Sequence, residues 1–300
     1  MIKPANNSKP NIVGVDVGGT KIYAAQLSDS GEIEKTAIHL TEAQRGRDSV
    51  LANVLECLEA VVTPSTKAIG VSWAGLIDPQ NNTIITSPNI PNFENFALGT
   101  FLNTHFSIPI VLENDARMFT LGETVGQKNR EKKNVLGIIL GTGVGMGVLI
   151  DGAFLRGVNG VAGEAGHMVI DRYGKVEAES LFCARGLQQF LSEHGHDEAP
   201  ELAIKEWEKN KNGVGEVIEI WLGLLSVWLY NLIMLFNPEE IIFGGGIGQN
   251  VLPPLLPALE EKVRTLLHER KFAHIVCLRS ARLENAGSVG AAVYAGRIVF

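Results

Sequence analysis

The chain has 300 residues, 45% of them hydrophobic and 20% charged, which suits a folded globular protein with room for two substantial cores. A formal charge of −7, with no local Lys/Arg cluster to reverse it, argues against a nucleic-acid partner. Cys57, Cys183 and Cys277 are widely spaced and odd in number, which fits free thiols in a reducing cytoplasm and not a disulfide framework.

Residues 1–10 are polar, lack the apolar core of a signal peptide and read as a disordered lead-in. Asn11 to Val17 is a β-branched strand running into Asp16-Val-Gly-Gly-Thr-Lys21; an apolar strand, Ile22 to Leu27, and a turn, Ser28 to Gly31, follow. Arg47 to Val62 has helical spacing and is closed by Pro64, and Ala68 to Ser72 is a buried strand. The loop from Trp73 to Pro91 is rich in Pro and Asn and long enough to be a functional candidate. A helix, Phe96 to Phe106, leads to strand Ile108 to Leu112. Glu113-Asn114-Asp115 stands at that strand's carboxyl end, where open α/β sheets bind ligands, and helix Ala116 to Val125 follows. Taken singly, Asp115 reads as a helix N-cap and Asn114 as a turn residue.

Val135 to Ile150 is two apolar strands around a loop containing Gly141, Thr142 and Gly143, with Gly163-Glu-Ala-Gly-His167 downstream. The glycines clear side chains from the turn, so backbone N–H groups can approach an anion. Alone, the segment fits a plain β-hairpin equally well. Aligning Gly19-Thr20 with Gly141-Thr142 places strand 12–17 on 134–139 and Asp29 on Asp151. That match suggests a duplicated core with a nucleotide bound in the cleft between its halves. Val169 to Gly174 is short and polar, and Glu179 to His194 and Val214 to Phe236 read as helices. The uncharged part of the latter, Ile220 to Phe236, is short for a membrane span and has acidic residues at both ends, so it reads as a buried helix. Strand Glu240 to Phe243 opens into a third Gly-rich loop, Gly244 to Gly248. Helix Val251 to Glu269, strand Ile275 to Leu278 and a small-residue helix, Ala286 to Gly296, complete the chain. Three Gly-rich loops, each after an apolar strand, point to nucleotide handling.

Asp16-x-Gly-Gly-Thr-Lys21, Ser87-Pro-Asn-Ile-Pro91, Glu113-Asn-Asp115, Gly141-Thr-Gly143, Gly163-Glu-Ala-Gly-His167 and Gly244-Gly-Gly246 together resemble the motifs of ROK (repressor, open reading frame, kinase) sugar kinases, in order, from about Asn11 to Val299. The resemblance implies an α/β, actin-like (hexokinase/Hsp70 superfamily) fold of two lobes with a duplicated βββαβαβα-type core. The small lobe would be 11–114, completed by a C-terminal helix at about 287–300, and the large lobe 115–286. It also implies a cytoplasmic, homodimeric enzyme that takes ATP, Mg²⁺ and a small-molecule sugar, with no nucleic acid and no membrane. The reaction would be phosphorylation of the 6-hydroxyl of glucose or N-acetylglucosamine; relatives also use N-acetylmannosamine, mannose and fructose, and polyphosphate is an alternative donor.

By position, the resemblance makes Asp115 the general base and Asp16 the residue that reaches Mg²⁺ through water. Gly18, Gly19, Thr20, Lys21, Gly141, Thr142 and Gly143 would hold phosphates, and Gly245 and Gly246 would line adenosine. Gly75, Asn89, Asn114, Asp115, Glu164, His167 and Glu179 would bind the sugar, with Glu177 a nearby competitor for the Glu179 assignment. Many members carry a Cys-x-Cys-Gly-x-x-Gly-Cys run before that Glu, which binds a structural Zn²⁺ together with the counterpart of His167. Here Met168 to Ala178 holds no cysteine and is too short for the run, so no zinc is expected and hydrogen bonds must orient His167. Two other classes remain, a sugar-sensing repressor of the family and a non-catalytic sugar-binding protein. Repressors carry a helix-turn-helix domain ahead of the first motif, whereas this chain reaches its first strand almost at once. The intact phosphate-loop residues count against a relic.

Overall fold

A computed structural model describes residues 11–28, 30–125, 132–209, 213–268 and 276–300. The chain divides into two compact units: one of residues up to Asn129 with Gly157–Val161 and Leu283–Phe300, the other of Arg130–Arg156 with Ala162–Arg282.

In the first unit, β1 (Asn11–Val17), β2 (Lys21–Leu27) and β3 (Ile33–Leu40) form an antiparallel meander. The chain continues through α1 (Arg47–Glu59), β4 (Thr66–Trp73), the hairpin β5 (Leu76–Asp78) and β6 (Thr83–Thr86), α2 (Leu98–Asn103), β7 (Ile110–Asn114) and α3 (Asp115–Val125). Strand order is β3-β2-β1-β4-β7, with β4 parallel to both β1 and β7. The fully buried Val13, Val15, Ile69 and Leu112 share a core with Val54 and Leu58 of α1. The C-terminal helix, Ala286–Val299, packs against β1, β4 and α3. This seam is backbone against backbone. A Cβ on Gly14 would stand 1.9 Å from the carbonyl oxygen of Ser288, one on Gly70 1.9 Å from that of Ala291, and one on Gly290 1.8 Å from that of Met118. The small-residue composition read from the sequence is thus spent on close approach. α3, which the sequence assigned to the large lobe, packs along this helix in the first unit.

The second unit repeats the plan. β8 (Val135–Leu140), β9 (Val144–Ile150) and β10 (Ala153–Phe154) are antiparallel neighbours, followed by α4 (Glu179–Phe182), α5 (Ala184–Glu193), α6 (Pro200–Glu208), α7 (Val214–Phe236), β11 (Glu240–Gly244), α8 (Leu256–His268) and β12 (Cys277–Ser280). Strand order is β10-β9-β8-β11-β12, with β11 parallel to both β8 and β12. Both five-stranded sheets therefore run third, second, first, fourth, fifth, with the same strand senses. The duplication is real at the level of topology, but the two hairpin loops differ in length. The last pairs are Val17↔Ile22 and Leu140↔Val144, enclosing Gly18 to Lys21 in one case and Gly141 to Gly143 in the other. A gapless match over both strand and loop is thus off by one residue, and Asp29 of that match lies outside the described residues.

α7 is long and apolar enough to cross a membrane, with a mean hydropathy of 1.8. Its Trp221, Leu225, Trp228 and Leu232 are buried in the second unit's core. Two expected helices end differently. The segment 179–194 breaks at Cys183, whose Sγ accepts a hydrogen bond from Gly186 N–H and caps α5. The stretch from Val251 becomes helical turns at Ile247–Val251 and Pro253–Leu255 before α8 begins, because Pro253 and Pro254 supply no N–H. Cys57 and Cys183 are buried and Cys277 is exposed, all as free thiols.

Candidate active site

In the first unit the parallel strands β1, β4 and β7 bring Asp16, Ser72 and Glu113-Asn114 to their carboxyl ends. Asp16 and Ser72 are register partners, and the Ser72 hydroxyl donates to Asp16 Oδ1. Against the carboxylate lies the first turn of the C-terminal helix: a Cβ on Gly287 would stand 2.4 Å from Asp16 Oδ2. The free N–H groups of a helix start favour a negative charge. Burial nevertheless pushes the Asp16 pKa up to about 6, and the Ser72 hydrogen bond only partly opposes it. A cation beside it would favour the ionised form that burial disfavours, and Mg²⁺ is held by one or two carboxylates while keeping its waters.

The neighbouring loop is drawn tight. Gly18 N–H donates to the Lys21 carbonyl (3.0 Å), Thr41 Oγ1 donates to the Gly18 carbonyl (2.6 Å), and Thr41 N–H donates to that of Thr20 (2.9 Å). Thr20 and Lys21 point to solvent. A Cβ on Gly19 would stand 3.3 Å from the Asn89 carbonyl, so this loop and the exposed Asn89 adjoin. Gly75 has φ 153°, and a Cβ there would meet the Thr86 carbonyl at 2.2 Å, which closes the β5–β6 hairpin against the end of β4. The loop from Trp73 to Pro91 is therefore not structureless.

Asn114, not Asp115, caps α3: its Oδ1 accepts from Arg117 N–H at 3.2 Å. Its Nδ2 donates to the Gly75 carbonyl (3.0 Å) and to Asp115 Oδ1 (2.9 Å). The Asn114 amide thus joins Gly75 to the Asp115 carboxylate, and both of its N–H bonds are committed within the protein.

In the second unit the loop Gly141 to Gly143 is bracketed on three sides. Ala184 N–H donates to the Gly141 carbonyl (2.8 Å), Glu179 Oε2 accepts from Val144 N–H (2.7 Å), and a Cβ on Gly143 would stand 2.6 Å from that same Oε2. Gly245, at φ 75°, leaves room for no side chain, because Leu140's carbonyl would lie 2.4 Å from its Cβ. The two Gly-rich loops at the ends of β8 and β11 are therefore neighbours, with the Thr142 side chain and Gly246 exposed. Glu164 precedes, and His167 ends, a single helical turn, Ala165–His167, held by Trp228 Nε1 donating to the Ala165 carbonyl (3.3 Å).

His167 Nδ1 meets Glu177 Oε2 at 3.0 Å, across a short hairpin in which Asp171 accepts from the N–H groups of Tyr173, Lys175 and Val176. Among the described residues no group of three or more His, Cys, Asp or Glu side chains could hold a metal ion. Glu177 is what orients the ring. The hydrogen bond to Glu177, with further attraction from Glu179 and Glu164, raises the His167 pKa above the ordinary value. Glu177→Ala is expected to bring the His167 titration back down toward that value, followed by NMR of the imidazole ring. An unmoved titration would show that Glu177 does not hold it.

Ser72, Thr41, Arg117, the pairing of Glu113 with Arg117 and the bond from Glu177 to His167 were not foreseen. Signals existed for three of these residues: Ser72, a lone Ser in an apolar strand, and Glu113 and Arg117, opposite charges four residues apart beside a strand end.

A family model described as the ROK family matches residues 12–298. A glucokinase from Thermotoga maritima is 29% identical over 311 residues, covering 95% of this chain and 96% of its own. A ROK hexokinase from Thermus thermophilus superposes with a TM-score of 0.82 at 27% identity, over 96% of this chain and 99% of that one. A ROK family glucokinase from Streptomyces griseus, solved in complex with glucose and AMPPNP, superposes with a TM-score of 0.74 at 25% identity, over 96% and 99%. The fold is the actin-like one of these neighbours.

Proposed function

The chain belongs to the ROK family, and from that premise we propose that it is an ATP-dependent hexose kinase acting on the 6-hydroxyl of glucose or N-acetylglucosamine. The observation that carries this reading is the Asp115 carboxylate at the junction of β7 and α3, aimed by the Asn114 amide at 2.9 Å. Phosphoryl transfer asks little covalent chemistry of a protein; it asks for an oriented hydroxyl and a neutralised phosphate charge. Asp115 takes the proton of the sugar hydroxyl as its oxygen attacks the γ-phosphorus, and the bond to the β,γ-bridging oxygen breaks to release ADP.

Asp16 is the residue that would hold Mg²⁺ through water, and the ion would supply charge neutralisation on the phosphates. The bared backbone of Gly18 to Thr20 and of Gly141 to Gly143, with the Thr20 and Thr142 hydroxyls and Lys21, binds phosphate oxygens. Gly245 and Gly246 leave adenosine room against the main chain. Asn89, Glu164, His167 and Glu179 hydrogen-bond sugar hydroxyls, His167 through Nε2 because Nδ1 is committed to Glu177.

The deciding experiment is ADP release from Mg-ATP across a panel of hexoses and N-acetylhexosamines, N-acetylmannosamine, mannose and fructose included. Turnover is expected with glucose or N-acetylglucosamine. Silence across the panel from folded protein, with ATP and with polyphosphate as donors, would refute the kinase reading.

A further inference from the structure

Glu113 and Arg117 form an ion pair with almost no solvent access, their side chains 0% and 5% exposed. Glu113 Oε1 accepts from Arg117 Nη1 (2.9 Å) and from the backbone N–H of Asn114 (2.9 Å). The second arm of the guanidinium, Nη2, donates to the carbonyl of Gly160 (2.5 Å). One side chain therefore touches the end of β7 and a distant segment, while its own backbone N–H is the one capped by Asn114.

That segment, Gly157–Val161, groups with the first unit although the chain on either side, to Arg156 and from Ala162, belongs to the second. Its neck is closed by Ala162 N–H donating to the Arg156 carbonyl (3.1 Å). Apolar burial does not hold it down, since Val158 is 100% exposed and Val161 50%. It lies over β5, where a Cβ on Gly160 would stand 3.5 Å from the Ile77 carbonyl.

A buried ion pair adds little net stability over an apolar pair of the same volume, because desolvation consumes the attraction. What an apolar pair could not supply is a planar fork that fixes two acceptors at once. We propose that Arg117 is a positioning residue, which holds the Asn114-Asp115 turn on one arm and the Gly157–Val161 segment on the other. Glu113 ties the guanidinium to the Asn114 peptide, whose side chain aims Asp115. Three residues beyond Val161 the chain reaches Glu164, one of the sugar contacts assigned above. Arg117 thus acts on the base and on the entry to the sugar-binding segment, and not on the phosphate loops.

The kinetic consequence rests on the kinase reading; the structural one does not, which separates the two failures. Arg117→Met alone would strand a buried carboxylate and could unfold the chain, so the test is the neutral double variant Glu113→Gln/Arg117→Met. Its kcat is expected to fall roughly 10–100-fold from a small misplacement of the base. Sugar KM should rise while ATP KM holds. Without any substrate, amide hydrogen exchange over 157–161 should accelerate while the core strands keep their protection. In Arg117→Lys, whose ammonium reaches Glu113 but cannot fork, kcat should recover in part with the segment still exchanging fast. Wild-type kcat in the double variant, or unchanged exchange over 157–161, overturns the proposal.

Discussion

Asp115→Asn is expected to lower kcat by roughly 10²–10⁴-fold, the usual scale for losing a general base, while the sugar still binds. The amide is nearly isosteric, and its oxygen can go on accepting from Asn114 Nδ2, so the turn at 2.9 Å need not move. What the amide cannot do is take a proton. The loss should therefore fall on kcat at saturating sugar and ATP, with calorimetric sugar affinity changed only a few-fold. Because Asn114 and not Asp115 caps α3, the variant leaves the cap intact and its melting temperature should stay close to that of the parent. Parental turnover in the amide variant would take the base role away from Asp115.

Asp16→Asn should separate stability from activity. Loss of a charge-neutralising group from a phosphoryl-transfer site costs on the order of 10²–10³-fold in kcat. In the metal-free protein the same change should raise stability at neutral pH. The folded Asp16 titrates at about 6 against an ordinary 3.8, so between those values the folded chain holds a proton that the unfolded chain has released. Lowering the pH through that window stabilises the fold; raising it through 6 removes the stabilisation, and above 6 the parent carries the full cost of a buried charge. With about 1.4 kcal/mol per pKa unit, that cost is about 3 kcal/mol. The variant's gain in melting temperature should be largest above pH 6 and vanish near pH 4. A gain that is flat across this range, or absent, would mean that burial does not strain the Asp16 carboxylate.

Much of this architecture could be read from residues alone, for a physical reason that also marks the limit. Strands buried on both faces are continuous apolar runs, and Val13 to Val17, Ile69 to Val71 and Ile241 to Phe243 declare themselves. The glycines that follow them do so by clearing side chains. β3 escaped because it is an edge strand whose Ile33, Ile38 and Leu40 are exposed, leaving no alternation of buried and solvated positions to find. α6 begins at Pro200 and carries charges on its open side, so it blended into the surrounding polar chain. Local capping was misassigned by one residue, from Asn114 to Asp115, because both types cap helices and only the backbone decides between them.

The partners of site residues were the least legible. Glu177 lies ten positions from His167 and reaches it only across the Asp171 hairpin. Arg117 finds Gly160 only once the intervening chain has folded back. Sequence spacing carries the motif residues; what aims their side chains depends on tertiary contacts.

The glycine seam under the C-terminal helix also has a consequence in time. A nascent chain leaves the ribosome at about 5–20 residues per second, and domains generally fold in the order they emerge. Here the meander of β1 to β3 emerges first, yet one face of its sheet stays bare until Ala286–Val299 has been translated. The second unit needs nothing beyond Arg282. The unit translated first is therefore completed last, its glycine-lined sheet face uncovered until the end of the chain has emerged.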